Sequence, residues 1–239
     1  MKQPHALITG VTKGIGHAIS RHLAAAGCWV TGVSRSAPAL TQWQREMTES
    51  FPGLSFNFLV ADLGDQASRA DLIDRLRQEN TPYTILVNNA GIYLRGPLLE
   101  EPVEQFARMW QVNVQAPYAL IRALVPGMVE REMGHVFNIC SVASRDPQPG
   151  SGAYSATKAA LYNLTRSLRA ELRQQKVSVT AILPGQTWSA SWDGVSLPEH
   201  RLMQSDDIGA AVVHAWRLAP SAVVEEITMR PQQGDWSPD

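Results

Sequence analysis

Residues 5–16, HALITGVTKGIG, run from a short apolar stretch straight into a glycine-rich turn. The apolar stretch predicts a strand at 5–10, and the periodic apolar residues after the turn predict a helix at 14–27. A strand that passes through glycines into a helix is half of a βαβ unit, whose next strand lies parallel to the first. The alternation repeats. Strands are expected at 28–34, 54–61, 84–89, 135–140, 177–183 and 223–229, with helices near 38–50, 66–79, 102–113, 115–131, 152–174 and 206–218. In the 152–174 segment Ala160, Leu161, Leu164, Leu168 and Leu172 keep helical spacing. The fold class predicted is α/β, a doubly wound parallel sheet of about seven strands with helices on both faces. No repeat or low-complexity linker interrupts the series, so residues 1–239 are expected to form a single domain. The polar segment 185–204 is its only expected long irregular loop.

Composition narrows the partners. With 21 basic and 22 acidic residues the net charge is -1, which gives no electrostatic footprint for nucleic acid or an anionic membrane. The apolar runs are too short for a transmembrane helix, and MKQPHALITG is too short for a signal peptide's apolar region. Cys28 and Cys140 lie in apolar runs without metal or disulfide spacing, as in a reducing compartment. A cytoplasmic location is expected. The six histidines are scattered, so no metal site is expected.

The first turn points to a dinucleotide. In TGVTKGIG (9–16), Gly10, Thr12, Lys13, Gly14, Ile15 and Gly16 form a tight turn at a helix N-terminus, whose free N–H groups suit a pyrophosphate. Lys13 precedes the last glycines and no Lys-Ser/Thr follows them, which excludes the nucleoside-triphosphate loop. The end of the second strand selects the cofactor. A carboxylate there would bond the 2′-hydroxyl of NAD, whereas Ser34 followed by Arg35 leaves room and a guanidinium for the 2′-phosphate of NADP. NADP(H) is predicted, with Lys13 as a second cation. Asp62, with Leu63 in the turn after strand three, can accept from the adenine amine or serve as a turn residue.

Taken in order, TGVTKGIG, ADL (61–63), NNAG (88–91), Asn113, Ser141 and YSATK (154–158) resemble the short-chain dehydrogenase/reductase family over essentially the whole chain. The resemblance implies a Rossmann-like sheet, a nicotinamide cofactor and a catalytic set of Asn113, Ser141, Tyr154 and Lys158. It places Asn89, Ala90 and Gly91 at the cofactor cleft, and Lys158 on the nicotinamide ribose. Pro184, Gly185, Thr187 and Ser189 would lie by the carboxamide, where either hydroxyl can serve. Asn113 would anchor a water linking Lys158 to solvent.

The chemistry requires such a set. The nicotinamide carries hydride, and the protein must supply a proton donor and hold the oxygen. Tyrosine, with pKa ~10, needs a neighbouring cation to act as both acid and base. A charge ~4 Å away at an effective dielectric of ~20 is worth roughly 4 kcal/mol, enough to bring the phenol toward the operating pH. Tyr154 and Lys158 are spaced one helical turn apart, and Ser141 can donate to the developing oxyanion.

The predicted activity is therefore NADPH-dependent hydride transfer to a small carbonyl, or from a secondary alcohol, by an enzyme. A 3-oxoacyl carrier-protein reductase is the alternative, disfavoured by Glu130 and Glu132 around Arg131 in MVEREMGH (128–135). A non-catalytic NADP(H) sensor is the alternative of another class. Substrate contacts are expected from Ser141, Ala143, Tyr93, Trp188 and Trp192, the two tryptophans covering the pocket from the 186–200 loop. Arg95 and Arg145 leave a substrate carboxylate open. The long helices near 102–131 and 152–174 resemble those through which the family forms homodimers or homotetramers.

Overall fold

The computed structural model describes residues 3–188 and 197–236. Seven strands form one parallel sheet in the order β3-β2-β1-β4-β5-β6-β7. They are β1 (His5–Thr9), β2 (Trp29–Ser34), β3 (Phe56–Val60), β4 (Ile85–Asn88), β5 (Gly134–Ile139), β6 (Val177–Pro184) and β7 (Glu226–Met229). The helices between them are α1 (Gly14–Ala25), α2 (Ala37–Ser50), α3 (Gln66–Glu79), α4 (Val103–Trp110), α5 (Ala116–Glu130), α6 (Gly152–Leu172) and α7 (Ser205–Trp216).

The two-residue period of the strands divides the core between the two faces of the sheet. Ala6 and Ile8 of β1, Ile85 and Val87 of β4, and Phe137 and Ile139 of β5 pack with Ile19 and Leu23 of α1, Trp43 of α2 and Ile208 and Val212 of α7. The alternate residues Leu7, Leu86 and Val136 pack on the other face with Leu72 and Leu76 of α3, Leu120 and Leu124 of α5, and Leu172 of α6. Both faces are covered, which is why these strands read as continuous apolar runs. Strand order reverses between β1 and β4, and the crevice outside their carboxyl ends is the expected ligand site of an open parallel sheet.

Local chemistry sets the helix ends. Ser36 accepts from the Ala39 amide at 3.4 Å to cap α2, and Asp65 accepts from the Ser68 amide at 2.7 Å to cap α3. Asn80 ends α3 in the left-handed conformation, with φ 45°.

Two expectations are corrected. The helices near 102–113 and 115–131 are one continuous path, since a π-helical turn, Gln111–Gln115, joins α4 to α5. The Ala116 amide reaches back to the Gln111 carbonyl, a five-residue bond that accommodates an extra residue without breaking the helix. The segment 185–204 is also not the only long irregular one, because residues 89–102 lack helix and strand. Gly91, Gly96, Pro97 and Pro102 interrupt any period there. No helix among the described residues is long and apolar enough to cross a membrane.

Candidate active site

The glycine turn after β1 and the turns after β2, β3, β4 and β5 lie at the carboxyl edge of the sheet. Gly10 turns the chain out of β1 at φ 75°, and a Cβ there would lie 2.9 Å from Asn89 Nδ2. A Cβ at Gly16 would overlap the Gly10 carbonyl, so α1 starts directly against the strand end. Lys13 precedes α1 in extended backbone and provides no side-chain cap, leaving the first amides of α1 free for an anion. The Gly10 amide donates to Val33 O at 2.7 Å, fixing this turn beside the end of β2.

Ser34 is half-buried at that end, and Arg35 is exposed just after it. Lys13 is exposed on the adjacent turn. Among the described residues neither cation makes an ion pair. Asp62 accepts from the Gly64 amide at 2.9 Å, a turn-residue role, while Asp65 caps the following helix. Leu63 is buried. A glycine cradle, free helix amides and two unpaired cations fit a phosphorylated dinucleotide.

Asn89 donates to Thr9 O at 2.9 Å and Gly10 O at 3.3 Å, stitching β4 to the first turn. Thr9, which sequence reasoning passes over, accepts from both the Asn89 and Ala90 amides at 3.0 and 2.9 Å. Its position directly before Gly10, at a strand end, is the only signal it carries. Gly91 is exposed, and a Cβ there would come within 3.3 Å of both Lys158 Nζ and Asn113 Oδ1. Behind this edge Asn88 donates to Asn138 at 2.8 Å, and Asn138 donates to Thr165 at 2.8 Å.

The remaining groups come from β5 and α6. Ser141 follows β5, buried, with its hydroxyl accepting from the Ala143 amide at 3.1 Å. Tyr154 and Lys158 share one face of α6, with Lys158 Nζ 5.9 Å from the tyrosine ring centroid. Nζ donates to Ile139 O at 2.8 Å. Asn113 is fully buried on the π-helical turn. Its carbonyl accepts from the Ile92 amide at 2.9 Å, and its amide donates to Ile92 O and Thr157 Oγ1, each at 3.0 Å. Thr157 donates in turn to Tyr154 O at 2.7 Å.

Burial dominates the electrostatics. It pushes the Tyr154 phenol up to about 12, offset in part by a hydrogen bond with Ser141. It pulls the Lys158 ammonium down to about 8. The expectation that Lys158 brings the phenol down toward neutrality is therefore corrected. The ammonium is turned to the Ile139 carbonyl, and burial is the largest influence on the phenol.

On the substrate side Tyr93 is 43% exposed and meets Tyr154 edge to face at 4.9 Å. Ala143 lies in the short turn Val142–Ser144 beside Ser141. Arg145 does not offer a free charge, because it pairs with Glu226 and with the Tyr162 hydroxyl. Pro184 closes β6 buried, and the Gly185 amide donates to Met229 O at 2.7 Å. Thr187 is buried, with its hydroxyl donating to Gly185 O at 3.0 Å. Trp188 is half-buried, and its backbone is fixed on both sides, the amide to Met203 O at 2.9 Å and the carbonyl to Ser205 Oγ at 2.9 Å. Ser189 and Trp192 lie outside the described residues.

The contacts of the C-terminal tail, PQQGDWSPD, are also not anticipated from sequence. Gln186 donates to Trp236 O at 2.7 Å and accepts from its amide at 2.6 Å, and Arg201 donates to Gly234 O at 2.7 Å. Arg230 bridges Asp235 and Asp146, the latter at 2.6 Å, so the tail is tied to Gln186, Arg201 and Arg230. These partners are 5 to 84 residues apart, and no local pattern announces them.

Comparison with known proteins identifies the family. The sequence matches the family model described as short chain dehydrogenase over residues 4–197. An uncharacterized oxidoreductase of Staphylococcus epidermidis is 29% identical over 97% of this chain and 98% of its own. A metagenomic short-chain oxidoreductase solved with NADP is 31% identical, with TM-score 0.83 over 96% of this chain and 97% of that one. A serine dehydrogenase solved with NADP+ in its closed form is 27% identical, with TM-score 0.86 over 98% and 97% of the two chains. The chain belongs to the short chain dehydrogenase family and is an oxidoreductase.

Proposed function

We propose that this protein is a single-domain, NADP(H)-dependent enzyme that interconverts a small-molecule ketone and its secondary alcohol, with Tyr154 as general acid and base. The observation that carries the reading is the convergence of Ser141, Tyr154, Lys158 and Asn113 on the crevice beside the glycine turn. NADP(H) rather than NAD(H) is supported by Arg35 and Lys13, unpaired on adjacent turns, and by the NADP held in the two solved relatives. Thr12, Gly14 and Ile15 complete the phosphate turn, and Ala90, Pro184, Gly185 and Thr187 flank the nicotinamide.

Bound there, the reduced nicotinamide supplies the hydride. Tyr154 donates its proton to the carbonyl oxygen, and the Ser141 hydroxyl stabilises the charge that develops on it. Lys158, 5.9 Å from the phenol ring, offers its positive charge to the forming phenolate. Asn113 and Thr157 join the Ile92 backbone to the base of α6, which holds Lys158 and Tyr154 in register. Tyr93 shields the phenol from water and lines the pocket with Ala143 and Trp188.

Exposed Leu98, Leu99, Val103 and Phe106 around the start of α4 support pairing with a second copy of the chain. A screen of NADPH oxidation over small, aromatic and acyl-thioester ketones tests the reading. Turnover of compact ketones is expected. A marked preference for long acyl thioesters would move the assignment to acyl-carrier chemistry, and NADPH binding without turnover would make the protein a sensor.

A further inference from the structure

Arg69 on α3 is 7% exposed, deep enough that a cation needs a reason to be there. No ion pair reaches it among the described residues. Its partners are neutral: Nη1 donates to Leu63 O at 2.7 Å, and Nη2 donates to the side-chain oxygens of Gln111 at 2.8 Å and Gln115 at 3.3 Å. Those glutamines are the first and last residues of the π-helical turn. One guanidinium therefore spans both ends of the turn and holds it to the loop after β3. The two elements also touch directly, since a Cβ at Gly64 would lie 3.2 Å from Val112 Cγ2.

The middle of that turn is Asn113. A π-helical turn is an uncommon and less favourable form of the helix, kept where something outside the helix compensates it. Here the external contacts are the Arg69 fork at its ends and the Ile92 and Thr157 bonds at its centre. The planar fork serves three acceptors at once, a geometry that a lysine ammonium on a flexible stem does not reproduce.

We propose that Arg69 is a positioning residue for the catalytic set: by bridging Gln111 and Gln115 it holds the π-helical turn, and through it places Asn113 against Thr157, whose hydroxyl donates to the Tyr154 carbonyl. The inference rests on the proposed role of Asn113, and the experiment separates the two. Turnover with NADPH and its pH profile are measured for the unmodified protein, Asn113→Ala, Arg69→Met and the double variant, together with NADPH affinity.

Arg69→Met is expected to lower kcat at least about tenfold with less than a twofold change in KM, reproducing the pH profile of Asn113→Ala. The double variant is expected to be no slower than Asn113→Ala. Arg69→Lys is expected to recover only part of the loss. In the protein alone, amide hydrogen exchange of residues 111–116 should be faster in Arg69→Met than in the parent. If Arg69→Met does not fold, the Gln111→Ala/Gln115→Ala pair takes its place, with the same expected loss of kcat. Multiplying effects in the double variant, or unchanged kcat in Arg69→Met while Asn113→Ala is impaired, would overturn the inference alone. Full activity in Asn113→Ala would remove the role of Asn113 and the inference with it.

Discussion

At the residue scale, Tyr154 keeps its proton because burial holds the phenol at about 12, while Lys158 one turn away titrates near 8. Raising the pH through about 8 therefore removes the cation and leaves the phenol protonated. Reduction by NADPH is expected to be level below that value and to fall above it. Initial rates against pH check this, and a profile that stays level to about pH 10, the ordinary tyrosine value, would contradict it. Arg35 makes a separable prediction. A charge-assisted contact to the 2′-phosphate contributes about 1.5–3 kcal/mol, so Arg35→Ala should weaken NADPH binding roughly 10- to 150-fold and leave NADH binding nearly unchanged. Fluorescence titration with each cofactor measures the difference. Tyr154, Lys158 and Ser141 were singled out in sequence through the family resemblance of the ordered motifs, because helix spacing alone leaves a Tyr-x-x-x-Lys pair ambiguous. The neutralisation of Arg145 was not legible there, since Glu226 lies 81 residues away and only the folded sheet brings it close.

At the element scale, β1, the glycine turn and α1 form a unit with no slack. Gly16→Ala would put a methyl into the Gly10 carbonyl, so the turn or the helix must move. The expected cost is about 1–3 kcal/mol of stability and at least a roughly tenfold loss of NADPH affinity. Thermal unfolding and cofactor titration read the two effects, and an unchanged affinity would separate this turn from cofactor binding. The seven strands and the seven α-helices were readable from alternating periods, and the central strands, buried on both faces, leave continuous apolar runs. The π-helical turn left no such mark. Its extra residue is accommodated by Arg69 from another helix, and local propensity does not encode that contact. The irregular 89–102 segment did carry a local mark in Gly91, Gly96, Pro97 and Pro102, and long-range contacts such as the Gly96 amide on Gly150 O at 3.0 Å hold it in place.

At the scale of the whole molecule, the two ends of the sheet have separate pH responses. His5 and His135 are buried at the amino ends of β1 and β5, bonded to Thr31 and Thr180, and burial lowers them from 6.5 to about 4 and about 3. The unfolded chain then binds more protons than the folded one below 6.5, so their contribution is complete above that value and is lost as pH falls through 4 and 3. Stability should drop by up to about 1.36 kcal/mol per pH unit for each histidine, and His135→Gln should flatten the slope. Urea midpoints between about pH 7 and 5 check it, and midpoints that do not change would contradict it. At the carboxyl edge, the proposed reaction depends on Tyr154 delivering the proton. The direct measurement compares ketone reduction by the unmodified protein and Tyr154→Phe, with NADPH affinity measured on both. The account predicts a loss of turnover of about 10²- to 10⁴-fold with NADPH affinity nearly unchanged; substantial turnover in Tyr154→Phe would mean that another group supplies the proton.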